Sequence, residues 1–146
     1  MTTRLPAPTP VITPESRPFW DTAAQGALLL KRCTSCAEVI WYPRDGCPVC
    51  WGRDTVWFTA SGRGVVHSYT VNHRGEGAYA GHSPYVLAYV ELEEGPRLLT
   101  NIVGVDDVAL DIDALVVGGP VEAVFTPTDD GMTALPRFRQ SRPTPT

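Results

Sequence analysis

A chain of 146 residues, 43% hydrophobic and with a formal net charge of −4, is sized for one domain, or one domain with a small metal module, and can bury a core. No apolar run approaches the ~20 residues of a membrane helix, and the N-terminus lacks the apolar centre of a secretory signal, so the default expectation is a cytoplasmic protein without a membrane partner. Its 16 acidic and 12 basic residues disfavour non-specific nucleic-acid binding, which needs a basic face.

Residues 1–14 carry Pro6, Pro8, Pro10 and Pro14 and read as an extended arm, either a free tail or a strap along a partner. Residues 15–25 read as a short helix. Pro14 and Glu15 suit its first turn, Gly26 suits the position past its end, and Phe19 and Ala23 share a face. So short a helix needs something to dock against.

Strands are expected at 28–32, at 38–42 and at 57–59, with cysteine turns between them. From Gly62 onward, short β-type runs alternate with turn signals. These runs are 64–72, with Val65, His67, Tyr69 and Val71 on one side; 84–92, with Val86, Ala88, Val90 and Leu92 on one face; 97–103; 121–126; and 132–139. Gly62 and Gly64 read as a hinge, and 73–83 as a loop flanked by His73 and His82. Residues 106–115, with Val108, Ile112 and Leu115, read as a short helix or an irregular turn. The fold class is therefore mainly β: an N-terminal helix and zinc ribbon (15–60), then a five-stranded OB-type Greek-key barrel (61–140), then a tail (141–146). A small sandwich of other topology is the alternative.

All four cysteines fall within 18 residues, as Cys33-Thr-Ser-Cys36, ten residues, and Cys47-Pro-Val-Cys50. Each Cys-x-x-Cys turn aims two thiolates at one centre, and two turns complete a tetrahedron. Structural zinc is the expectation, with iron as the other metal this donor set accepts. Four thiolates leave no open position for water, so the site supports shape and does no chemistry. No nucleophile motif, phosphate loop or His-Glu-x-x-His occurs, and no catalytic residue is assigned. Trp41, Tyr42, Trp51, Trp57 and Phe58 cluster in the ribbon. They suit packing of a small metal module, contact with a partner, or stacking of bases.

The order of these parts is distinctive. Pro18-Phe19-Trp20 precedes Cys33-x-x-Cys36, then Tyr42-Pro43-Arg44 and Cys47-Pro48-Val49-Cys50. Gly62-Arg63-Gly64-Val65-Val66-His67 follows, then Pro84-Tyr85-Val86-Leu87-Ala88-Tyr89-Val90, and near the end Leu135-Pro136-Arg137-Phe138. Over residues 14–140 the chain resembles the DUF35 family, in which a helix and rubredoxin-like zinc ribbon precede an acyl-CoA-associated OB fold. The resemblance implies a non-catalytic subunit of a thiolase-like acyl-CoA complex (thiolase, acyltransferase or retro-aldolase, steroid side-chain degradation included) that helps position a coenzyme A thioester. It implies that Phe19, Trp20, Trp41 and Tyr42 face the partner and that Arg44, Arg137 and Arg139 contact coenzyme A phosphates. The alternatives are a single-stranded nucleic-acid-binding OB module and a stand-alone acyl-CoA-binding protein or thioesterase.

Overall fold

The computed structural model describes residues 4–104 and 112–141. The expected helix is α1, Arg17–Ala24. It starts later than Pro14 because Pro18 has no N–H to give and is tolerated only in a first turn. The turn before it closes through the Arg17 amide, which donates to the Thr13 carbonyl at 2.9 Å. The helix ends as expected at Gly26, whose φ is +86°. There the Gly26 and Ala27 amides donate back to the carbonyls of Ala23 and Thr22, at 3.0 and 3.2 Å.

Two sheets follow. Strands β1 (Leu29–Cys33), β2 (Val39–Ile40) and β3 (Thr55–Thr59) form an antiparallel sheet in the order β2-β1-β3. Strands β4 (Arg63–Asn72), β5 (Tyr85–Leu92), β6 (Arg97–Ile102), β7 (Pro120–Pro127) and β8 (Ala134–Gln140) form a closed barrel in the order β4-β5-β6-β8-β7, with β7 pairing back onto β4. That is the expected OB-type closure, with the parallel β6–β8 contact at Ile102 and Phe138. The barrel interior takes Val86, Ala88, Val90 and Leu92 as the alternation predicts. Of the segment 106–115, only Ile112 onward is described; Ile112–Ala114 is a single 3-10 turn, and Val108 lies outside the described residues.

Three expectations need correction. Val65, His67, Tyr69 and Val71 do not share one side. The β4–β5 register slips between Val66 and Ser68, so His67 is the extra residue of a bulge. Val66 becomes the buried residue, while Val65 and His67 are exposed. Gly64 is not a hinge. It lies within β4, paired to Leu92 on β5 and to Val121 on β7. A Cβ there would meet the Glu91 carbonyl oxygen at 2.5 Å, so close strand approach is what demands glycine.

The third correction concerns Phe19 and Trp20, which were expected on a partner-facing helix. They are 0% and 7% exposed. One apolar cluster runs from them through Leu28 and Leu30 into the barrel residues Val66, Val121 and Phe138. The helix packs against β1, β7 and β8, and the Thr133 hydroxyl donates to the Trp20 carbonyl at 2.7 Å. A helix of two turns gains its stability from this docking, which removes both rings from the surface.

Candidate metal centre

Each cysteine turn is built from local hydrogen bonds, and the two follow one template. In the first, the Cys33 amide donates to the Glu38 carbonyl at 2.9 Å and the Ala37 amide to the Cys33 carbonyl at 2.9 Å. In the second, the Cys47 amide donates to the Gly52 carbonyl at 2.8 Å and the Trp51 amide to the Cys47 carbonyl at 3.0 Å. The residue after each second cysteine, Ala37 or Trp51, has a φ of +64°. A non-glycine residue in that region is uncommon, and here two matching ones turn the chain back around the sulfurs. The Thr34 amide and hydroxyl both donate to the Asp54 carbonyl, at 2.9 and 2.8 Å, tying the first turn to the approach of β3.

The two turns bring Cys33, Cys36, Cys47 and Cys50 together. All four Sγ atoms lie within 4.8 Å of one another, with 3.5 Å between Cys33 and Cys50 and 3.6 Å between Cys36 and Cys47. Sulfurs about 2.3 Å from one tetrahedral ion stand at such separations, so the donor set fits zinc. Amides of Val49 and Gly52 point at Cys47 and Cys50 Sγ, each at 3.4 Å. A Cβ on Gly52 would lie 3.2 Å from Cys50 Sγ and 3.6 Å from Cys33 Sγ, so the ring closes over a residue with no side chain.

The thiols are electrostatically unequal. The Cys36 backbone amide, opposed by burial, holds Cys33 down to about 7. Cys47 is lowered in the same way, chiefly by the Cys50 amide. Cys36 is pushed up to about 12: the Glu38 amide lowers it, but burial and the sulfurs of Cys47, Cys50 and Cys33 outweigh that. Cys50 is raised although the Gly52 amide lowers it, mainly because Cys33 Sγ sits beside it. Four sulfurs cannot all ionise side by side, and a dication at their centre removes that conflict.

Around the centre, Phe19 is the hub. Its ring lies 4.8 Å from Trp20, 5.4 Å from Trp41 and 6.0 Å from Tyr42, centroid to centroid. Trp41 is half-buried, and Tyr42 is 37% exposed. Trp51 stands out at 83% exposed on the rim of the second turn. Sequence reasoning missed Lys31, the only lysine. It is buried on β1, 4.6 Å from the Trp57 ring centroid and 3.5 Å from Asp45. Its signal was a lone cation following Leu28-Leu29-Leu30.

The three arginines differ in exposure and partners. Arg44 is exposed; its Nε donates to the Tyr42 carbonyl at 3.4 Å, and its own carbonyl accepts from Lys31 Nζ at 3.5 Å. Arg139 is half-exposed and paired with Glu122 at 2.8 Å. Arg137 is 2% exposed, and its guanidinium donates to the Pro6 carbonyl of the segment before α1. Among the described residues, the cysteine tetrad is the one group of three or more His, Cys, Asp or Glu side chains placed to share a metal ion, and no helix is long and apolar enough to cross a membrane.

Residues 20–56 match the family described as ChsH2, rubredoxin-like zinc ribbon domain, and residues 57–126 match ChsH2, C-terminal OB-fold domain. A "Probable enoyl-CoA hydratase alpha subunit" of Thermomonospora curvata is 36% identical over 136 residues, covering 93% of this chain and 40% of that protein. The chain thus spans well under half the length of that relative. The benzoylsuccinyl-CoA thiolase subunit BbsA of Geobacter metallireducens is 30% identical, over 62% of this chain and 60% of that protein. A chain of the solved Ltp2-ChsH2(DUF35) aldolase superposes with a TM-score of 0.76 at 33% identity, covering 90% of this chain and 98% of that one.

Proposed function

This chain belongs to the DUF35 family in its ChsH2 form, and on that premise we propose that it is the zinc-ribbon and OB-fold subunit of a thiolase-like acyl-CoA complex. The observation that carries the reading is the match along 98% of a chain from an aldolase assembly, which this chain resembles in both sequence and fold. The naming of a thiolase subunit among its relatives points to the same partner class. In this reading the reacting groups belong to the partner, and the chain contributes a rigid surface.

Zinc would be held by Cys33, Cys36, Cys47 and Cys50, where it supplies cross-linking and no open coordination site. Trp41 and Tyr42 would lie at the partner contact, and exposed Trp51 is a further candidate, since interfaces favour such rings. Arg44, with its guanidinium in solvent, is the open candidate for a coenzyme A phosphate; Arg139 would first have to leave Glu122. The compartment this implies is the cytoplasm, where coenzyme A thioesters are made and used.

The test is capture of the tagged chain from its native cell, with mass spectrometry of what is retained. A thiolase-like protein in near-equal amount is the expected result. Recovery of the chain alone would leave only the zinc ribbon and barrel standing, and a salt-sensitive load of single-stranded nucleic acid would transfer the reading to the OB-module alternative.

A further inference from the structure

Strand β3 is one edge of the ribbon sheet, and among the described residues no second strand pairs along it. Which of its main-chain groups are already bonded follows from β1. The Cys33 amide donates to the Glu38 carbonyl on the β2 side, so Cys33, Lys31 and Leu29 turn their backbone groups toward β2. Leu30 and Arg32 therefore turn theirs toward β3 and bond with Phe58 and Val56, which lie opposite them in register. The flanking bonds agree: the Ala60 amide donates to the Leu28 carbonyl at 2.8 Å, and the Thr34 amide to the Asp54 carbonyl at 2.9 Å. What remains for the outer edge is the N–H and C=O of Thr55, Trp57 and Thr59.

That edge carries none of the devices that keep strands apart. Thr55-Val56-Trp57-Phe58-Thr59 has no charge, no proline and no bulge, and Val56 is 49% exposed. Its rings are already ordered. Lys31 Nζ stands 4.6 Å from the Trp57 ring centroid, and the Arg32 guanidinium 4.9 Å from that of Phe58. Rings fixed to their own sheet lose little freedom when a strand is added alongside. The segment also reads nearly the same in both directions, with a threonine at each end, an apolar residue inside each, and Trp57 at the centre. Paired antiparallel with itself, it has one register that uses every outward group: Trp57 opposite Trp57 and Thr55 opposite Thr59, each pair exchanging two bonds. A slip of one residue sets outward groups against inward ones, and a slip of two leaves a threonine unpaired. The same register sets Val56 opposite Phe58 and opposes no like charges.

We propose that β3 is a dimerisation edge: a second copy of this chain adds its own β3 antiparallel, across a two-fold axis at Trp57, and the two three-stranded ribbons become one continuous sheet. The contact is isologous, so it closes on itself. The opposite edge of the ribbon, β2, is two residues long and too short to recruit a third copy. Five residues a side bury less than a standard interface, so the isolated chain pairs weakly, with a dissociation constant on the order of 10–100 µM. The pairing needs no other protein and no coenzyme.

Sedimentation equilibrium of the full zinc-loaded chain from about 5 to 500 µM tests this, with hydrogen exchange followed at both ends of the range. The mass should climb toward that of two chains. The Thr55, Trp57 and Thr59 amides should slow with it, while those of Val56 and Phe58, already bonded to β1, stay as they were. Two double variants check the register, each first shown to keep its zinc and its near-ultraviolet dichroism. Thr55→Lys with Thr59→Lys sets lysine opposite lysine and should weaken association about tenfold. Thr55→Lys with Thr59→Glu sets lysine opposite glutamate and should bring it back to within about threefold of the parent. A parent chain still monomeric at the top of the range overturns the proposal. So does a dimer whose three edge amides exchange as fast as the monomer's, or a lysine–glutamate variant that associates no better than the lysine–lysine one. Protection of those amides only after a thiolase-like protein is added also overturns it: the edge then belongs to that partner, and the subunit reading stands.

Discussion

The indole Nε1 of Trp20 donates to the hydroxyl of Tyr42 across 2.9 Å, joining α1 to the ribbon 22 residues later. Trp20 is buried and Tyr42 reaches solvent, so the bond lies where the helix passes under the ribbon's edge. Tyr42→Phe keeps the ring contacts with Phe19 and Trp41 but strands a buried N–H. We expect a loss of about 1–3 kcal/mol in denaturant unfolding of the zinc-loaded protein. No change in the midpoint would mean that the indole finds water instead.

Phe19 touches helix, ribbon and barrel-side residues at once. Phe19→Ala should therefore cost about 3–5 kcal/mol, the range for deleting a buried aromatic. The same change at exposed Trp51 should cost under about 0.5 kcal/mol of folding stability. If Trp51→Ala instead lowers recovery of the thiolase-like partner without altering the melting curve, its ring is a contact residue.

Zinc affinity should rise with pH. The metal needs four thiolates, while Cys36, at about 12, and Cys50, also raised, carry protons at neutral pH. Cys33, at about 7, takes up its proton as the pH falls through that value. Between about pH 6 and 8, competition with a chelating dye should show release of more than one proton per zinc, the count growing toward the acid end. A pH-independent constant would contradict the thiol assignments.

Replacing Cys47 with serine removes a buried ligand from the small cluster of Cys33, Ile40 and Cys47. The expected result is loss of bound zinc together with loss of tertiary near-ultraviolet dichroism, because the ribbon shares one core with the barrel through Phe19 and Leu30. A metal-free variant that keeps its near-ultraviolet signal would mean that the metal is not structural.

Gly64→Ala should destabilise by about 1–3 kcal/mol, since the added methyl meets backbone at Glu91 and has nowhere to go without parting β4 from β5. Retained stability would restore the view that flexibility, not close approach, selects glycine there.

Much of this architecture was legible from local pattern. Val86, Ala88, Val90 and Leu92 alternate in sequence and alternate in the barrel because a strand's period is fixed by its own backbone. Gly26 ended the helix because only its φ matters at that position. His67 misled the alternation, since a bulge is an agreement between two strands and leaves no reliable mark on one. Phe19 and Trp20 misled the search for an interface for a related reason. A short apolar helix face looks the same whether its own barrel or another chain covers it.

Spacing alone therefore determined the metal centre. Two Cys-x-x-Cys turns ten residues apart carry their geometry in backbone hydrogen bonds that span only a few residues. The fate of Arg137 was decided only by tertiary structure. Its cover comes from Pro6, 131 positions away, and from Tyr79, 58 positions away. Local chemistry dictates what a turn can hold, but whether a side chain meets water depends on chain segments that only folding brings together.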